Sequence, residues 1–279
     1  MVITKRMNTT MKRLIIALAM LYSVLGYTTE YKPWFGNYQE FEFRSTYQLQ
    51  RYSKVHSDEG RIRYPSTDDL INLSLTVVPY ADWTGEVELG IASTREQSAG
   101  IESLRLTVRH LFFNDVVGDD ASVAGGLSVT FPSKDSKHDI STYYNGDVDI
   151  EAHVSIGKEM SSGKFWLYRY WGNLGYVMAN RGSPTLRGEF AWERNIDDTY
   201  RWKFFGDFSR GFGNRALAIP FKGYGSVDNK TFDVGIRYGY NLGYNGMITA
   251  EFKRRITAHN APEHGNTYAI GYETSFSPY

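Results

Sequence analysis

The stretch TFDVGIRYGYNL, residues 231–242, decides how the chain is read. Phe232, Val234, Ile236, Tyr238 and Tyr240 fall on one phase. Asp233, Gly235, Arg237, Gly239 and Asn241 fall on the other. Successive side chains of a β-strand point to opposite faces. This strand is therefore apolar and aromatic on one side and charged on the other, and the fold depends on which side looks inward.

Working outward, period-two alternation recurs from residue 38 to the end. It marks twelve segments: 38–52, 69–79, 84–96, 101–112, 121–132, 146–158, 163–178, 184–194, 199–210, 230–241, 246–257 and 266–277. No helix and no domain boundary interrupts them. Most are longer than an ordinary strand of about five or six residues. They match the roughly 9–11 residues that a tilted strand needs to cross a bilayer. With the N-terminus taken as periplasmic, the outward connections 53–68, 133–145 and 211–229 are long. The inward ones, such as 80–83, 161–164, 195–199 and 243–246, are short and turn-like, with 114–121 longer.

Composition agrees with an all-β chain. There are 27 Gly, 21 Tyr, 16 Phe and 6 Trp in 279 residues, a mix that favours strands and tight turns. Basic and acidic residues balance at 31 each, without the basic excess of a nucleic-acid surface. Cysteine is absent, which excludes disulfides and thiolate metal sites. The run MKRLIIALAMLYSVLG, residues 11–26, has the charged, apolar and small-residue order of a secretory signal, with cleavage predicted after Gly26. It is short for a transmembrane helix of about 20 apolar residues. Its removal takes away Lys5, Arg6, Lys12 and Arg13 and no acid, so the exported chain is mildly acidic. The predicted organisation is a signal peptide over 1–26, an N-terminal periplasmic segment over 27–37 and a barrel over 38–279.

The two phases persist along the chain. One carries Phe41, Leu73, Val87, Leu106, Leu127, Ile150, Val154, Phe190, Phe204, Phe252 and Ile270, with Arg254 its one charge within a strand body. The other is crowded with ionisable groups. A soluble β-protein buries the apolar face and shows charge to water, whereas a transmembrane barrel does the reverse. Export, strand length, the Tyr- and Trp-rich apolar phase and the two-faced pattern of every strand favour the inverted case. The predicted fold is a single closed antiparallel up-and-down transmembrane β-barrel of about twelve strands.

On the signal MKRLIIALAMLYSVLG, the paired strands and the C-terminal TYAIGYETSFSPY, the chain resembles the outer-membrane β-barrel proteins of Gram-negative bacteria over its whole mature length. The resemblance implies residence in the bacterial outer membrane, contact with its lipid, and recognition by the barrel-assembly machinery through the C-terminal strand. The terminal aromatic Tyr279 is out of phase with the series Tyr268, Ile270, Tyr272, Thr274 and Phe276, so Phe276 carries the alternation. Twelve-stranded members of the class include narrow solute channels of the porin type and a few enzymes.

If the charged phase lines the lumen, its candidates are Arg44, Glu86, Glu88, Arg105, Arg109, Asp147, Asp149, Glu151, Arg169, Arg187, Glu189, Arg201, Lys203, Arg237, Lys253 and Arg255. Glu86 and Glu88 lie beside Arg105 and Arg109. Glu189 and Glu193 lie beside Arg201 and Lys203. Asp147, Asp149 and Glu151 form an acidic ladder with Arg169 as the nearest cation. It faces Ala124, Gly126, Ser128 and Thr130, whose small side chains leave room. Opposed acidic and basic ladders select small polar solutes by charge and shape, or else merely solvate the lumen and pin the register. Trp34, Trp166, Tyr170, Trp192, Trp202, Tyr238, Tyr240 and Phe276 are predicted at the membrane–water interface. The apolar cluster Ala216–Ile219 in the connection 211–230 either folds inward as a constriction, packs at the rim or binds a partner.

The function read from these features is passive passage of small hydrophilic solutes, with no cofactor. The alternatives are an outer-membrane hydrolase and a structural or adhesive barrel with a closed lumen. A hydrolase needs a nucleophile or base, and the candidates are His153 with Ser155 and Glu151, or a rim site of His138 and Asp139 with Asp68 and Asp69. Side chains two apart on one strand stand about 7 Å apart, which places Ser155 beyond hydrogen-bond reach of His153. The six His show no metal-ligand spacing.

Overall fold

A computed structural model describes residues 30–162 and 165–277. The signal segment 1–26 and Tyr279 lie outside the described residues. The wall consists of β1 (Phe41–Ser57), β2 (Gly60–Tyr80), β3 (Trp83–Ser93), β4 (Gly100–Phe113), β5 (Ser122–Pro132), β6 (Asp149–Ser162), β7 (Phe165–Ala179), β8 (Thr185–Ile196), β9 (Tyr200–Gly211), β10 (Lys230–Asn241), β11 (Met247–His259), β12 (Ala261–Glu263) and β13 (Asn266–Phe276). From β1 to β11 each strand pairs antiparallel with the next, β11 pairs with β13, and β1 closes the cylinder by pairing with β2 on one side and β12 and β13 on the other. Strands β12 and β13 hold one register against β1, from Ala261 opposite His56 to Phe276 opposite Phe41. They are one wall strand interrupted at His264, whose φ is +52°. The wall is therefore twelve strands round, as predicted, and closure leaves no strand edge for lipid to meet.

The orientation of the wall is inverted. Leu127, Ile156 and Ile270 are 57–59 % exposed on the outside, whereas Glu88, Arg105, Glu151 and Lys203 are 3–4 % exposed inside. Arg254 faces outward, as its phase requires. At the inner ends of β7–β10 the outward face carries an aromatic girdle. Trp192 stands 5.5 Å from Phe204, Trp202 4.9 Å from Tyr238, and Tyr200 5.5 Å from Tyr240, measured between ring centres.

Two local readings change. The predicted outer connection 53–68 is not a loop. Strands β1 and β2 run on past the wall as a hairpin turned at Asp58 and Glu59, with Gly60 at φ +126°. Above the lipid both faces of a hairpin meet water or loops, so Arg51, Lys54, Arg61 and Arg63 blur the apolar phase that marks the other strands. The second change comes from a bulge between β6 and β7. Ser161 pairs with Trp166 and Met160 with Tyr168, which leaves Leu167 unpaired. One extra residue reverses the faces beyond it. Trp166 thus points into the bore, not to the predicted interface, and is buried there.

Candidate functional site: the charged bore and its two closures

Inside the wall, cations and carboxylates meet in pairs drawn from neighbouring strands. Glu88 and Arg105 are directly opposed in the register and 3.6 Å apart, and Arg105 Nε donates to Thr130 at 3.0 Å. Arg255 donates to both oxygens of Asp233, at 2.7 and 2.9 Å. Lys253 reaches Asp207 at 3.1 Å, and Arg237 reaches Glu251 at 2.7 Å. Lys203 is opposed to Glu193 in the register but pairs diagonally with Glu189. Arg44 donates to Glu42 at 3.0 Å and lies 3.7 Å from Glu273. Such pairs hold charge inside a barrel because each partner satisfies the other where hydration is limited.

The acidic ladder is divided differently from the prediction. Asp147 precedes β6 on the outer connection, where Lys137 and Arg181 meet it. The Lys137 ammonium holds its carboxyl below the usual range. Glu151 pairs with Arg187, whose Nε lies 2.9 Å away. Arg169 is opposite Glu159 in the β6–β7 register and binds it at 2.7 Å, so it does not serve the ladder. Asp149 lines the bore, and one of its carboxylate oxygens has no partner among the described residues. Glu86 accepts from Thr76 at 3.1 Å. Arg201 lies 3.4 Å from Asp198 and over the Trp166 ring. Arg109 is buried, forms no ion pair among the described residues, and donates to Ser155 at 2.9 Å. Among the predicted interface aromatics, Tyr170 and Tyr240 are exposed on the outside. Phe276 stacks on Phe41 at the inner end, 5.6 Å between ring centres.

The outer end of the bore is closed by two connections. Residues 133–148 and 212–229 fold over it, and Ile140, Leu217, Tyr224 and Val227 pack on Tyr52, Val55 and Tyr64 of the β1–β2 hairpin. Of the predicted apolar cluster Ala216–Ile219, Leu217 is buried against this hairpin, while Ala218 and Ile219 are exposed. Polar bonds hold the closure from every side. Tyr224 donates to Ile140 O at 2.8 Å, Ser57 to Leu217 O at 2.6 Å, and Ser141 to Asp68 at 2.8 Å. Gly182, at φ +139°, lets two loops touch, since a side chain there would strike the Gly225 backbone. Burial raises the Tyr224 and Tyr144 hydroxyls well above their ordinary value and raises the Asp139 carboxyl as well.

The inner end is closed by the chain itself. Residues 30–36, part of the N-terminal segment that precedes β1, lie within the bore at its inner end. Glu30 accepts from Lys203 and from Arg237, the latter at 2.5 Å, and pairs with Lys32 at 2.9 Å. The Tyr31 ring lies flat on His153, 3.7 Å between centres and 4° from parallel, and its hydroxyl meets Ser128 at 2.8 Å. Trp34 donates to Asp115 on the β4–β5 turn at 2.9 Å and lies under Arg169. Trp34 is therefore a lumen residue and not an interface anchor. The small inward residues of β5 leave the room that Tyr31 and His153 fill. That gap was the sequence signal for an insert.

Among the described residues, cavities lie on both sides of this segment. The outer one, about 240 Å³, is bounded by Tyr31, by Ser141–Asn145 of the cap and by the charged wall from Arg105 to Arg255. The inner one, about 180 Å³, is lined by Glu30, Lys32, Trp34, Phe35, Arg44, Glu86, Arg109, Arg169 and Arg201. The proposed catalytic pairs do not form. His138 is exposed and bonded to Lys134 O at 2.9 Å. Asp139 accepts from Thr94 and from Ser141 N. Both nitrogens of His153 lack a partner among the described residues, and Ser155 is held by Arg109 and Ala124 O. Among the described residues, no group of His, Cys, Asp and Glu is arranged to hold a metal ion.

No protein-family profile matches the chain, and no curated protein sequence matches it. Solved structures do. An outer-membrane channel from Pseudomonas putida F1 superposes with a TM-score of 0.67 at 11 % identity, over 90 % of this chain and 100 % of that one. The NanC porin matches with a TM-score of 0.55 at 12 % identity, over 84 % and 98 %. The KdgM porin matches at 0.50 and 10 %, over 84 % and 99 %. What the chain shares with these proteins is the fold, a closed twelve-stranded antiparallel barrel with an apolar exterior and a charged interior.

Proposed function

We propose that this barrel is a channel through which small hydrophilic solutes cross the outer membrane passively. The observation that carries the reading is the interior. It holds paired ionised groups around cavities lined by charge and large enough for water and small solutes. Ladders of opposite sign across a bore attract solutes of either charge and pass those that fit. The outward apolar face is the lipid contact, and the alternating strand that ends at Phe276 fits recognition by the assembly machinery. The filled ends of the bore favour a second reading, a closed barrel whose work lies in its outer loops.

Ion current in a planar bilayer separates the two. The purified protein, shown to be folded by its heat-modifiable migration on a denaturing gel, conducts in discrete steps if the channel reading holds. A folded barrel that carries no current under any condition overturns it. Turnover of lipid or peptide substrate, lost in His138→Ala or His153→Ala, would point to a hydrolase instead.

A further inference from the structure

We infer that residues 30–35 form a tethered gate that divides the bore and is released toward the periplasm, an inference that rests on the channel reading. The two cavities meet at this segment. Tyr31 borders the outer cavity, while Glu30, Lys32, Trp34 and Phe35 border the inner one.

The contacts are those of a removable part. Glu30 is a lumen carboxylate that no wall strand supplies, and its cations are already partnered without it. Lys203 keeps Glu189, and Arg237 keeps Glu251. When Lys32 withdraws from Glu193, 3.4 Å away, that carboxylate retains the Trp171 indole at 2.8 Å. When the Lys32 carbonyl leaves Arg109, the guanidinium keeps Ser155. Departure therefore strands none of these wall groups without a partner, which is the condition that makes leaving a buried site inexpensive. Apolar contact with the wall comes from Trp34, which packs on Trp171, Ala191 and Phe205 near the hinge end of the segment, while the Glu30 end is held by charge.

The tether is also in place. The segment turns into β1 at the inner rim, where Asn37 N donates to the Glu40 carboxylate at 2.7 Å. Seven residues separate this turn from the Glu30 end, enough chain to span about 23 Å when extended. Swinging about that hinge clears both Glu30 and Tyr31 from the bore without moving the wall.

Two readouts test the gate. The first is single-channel recording of the full protein beside Glu30→Gln and Tyr31→Ala. The gate requires open probability to rise by roughly tenfold in Glu30→Gln, the change that loss of one charge-assisted hydrogen bond supports. The second uses the absence of cysteine from the natural chain. Ser128→Cys places one thiol beneath Tyr31, and its labelling by a water-soluble maleimide reports whether the segment is seated. Labelling is expected to quicken by a similar factor when Glu30→Gln is added. Heat-modifiable migration verifies that each barrel is folded. Unchanged open probability together with unchanged labelling overturns the gate and leaves the channel standing. Faster labelling with no current in any folded variant overturns the channel and leaves the release of the segment standing.

Discussion

The two ends of the bore are closed by opposite means. The outer closure is a small apolar core, with Ile140, Leu217 and Tyr224 pressed on Tyr52, Val55 and Tyr64 and stitched by hydroxyl-to-carbonyl bonds. The inner closure is a strap of charge, stacked rings, one indole bond and the packing of Trp34 on Trp171, Ala191 and Phe205. Apolar packing resists separation because every parting surface must be wetted. Paired charges in a bore exchange partners with water and with one another at far smaller net cost. The outer end is thus built to stay shut around its loops, and the inner end to come away.

This contrast is broken most severely at the outer end. Asp233→Ala removes both carboxylate bonds from the buried Arg255, which also holds Tyr143 of the cap. Stability should fall by about 3–5 kcal/mol, read as a lower urea midpoint for loss of heat-modifiability. Leu217→Ala hollows the cap core and should cost about 3 kcal/mol locally. Its measure is faster proteolysis within residues 212–229 while the wall stays intact. At the inner end the effects are smaller. Trp34→Phe forfeits the bond to the Asp115 carboxylate, about 1.5 kcal/mol, and should speed labelling of Ser128→Cys with little change in the urea midpoint. Tyr31→Phe keeps the stack on His153 and loses the Ser128 bond, about 1 kcal/mol, with a weaker effect on the same readout.

The inner strap should also answer to acid. Burial tends to raise the Asp115 carboxyl. Bonds from Glu159 N, Ser122 and Trp34 outweigh it and hold the group below its ordinary value. A depressed carboxyl contributes stability in full above its unfolded value of about 3.9, and the contribution drains away as pH falls through the lower folded value. The stability difference between the native protein and Asp115→Asn should therefore be constant near neutrality and shrink below about pH 4. A difference that grows on acidification would contradict the assignment.

Much of this was legible in the alternation. Where lipid presses on one face and water on the other, the period-two pattern is enforced residue by residue. Glu88, Arg105, Lys203, Arg237 and Arg255 were placed inside by phase alone, and Leu127 and Ile270 outside. The misreadings fall where that enforcement lapses. Above the lipid, the β1–β2 hairpin has no apolar phase to betray it. At Leu167 one unpaired residue turns Trp166 round, and nothing in a short window of sequence distinguishes a bulge from an unbroken strand. The strap was hidden for another reason. Glu30 and Arg237 are 207 positions apart, and Tyr31 and Ser128 97, so no local pattern records their meeting. The run of small inward residues on β5 marked the vacancy but not its occupant.

The seat of Glu30 and Tyr31 draws on Ser128 of β5, Lys203 of β9 and Arg237 of β10, strands that stand together across the lumen only once β1 has joined β13. A nascent, half-inserted sheet offers no such site. The seat for residues 30 and 31 is consequently a product of ring closure and not of any one hairpin.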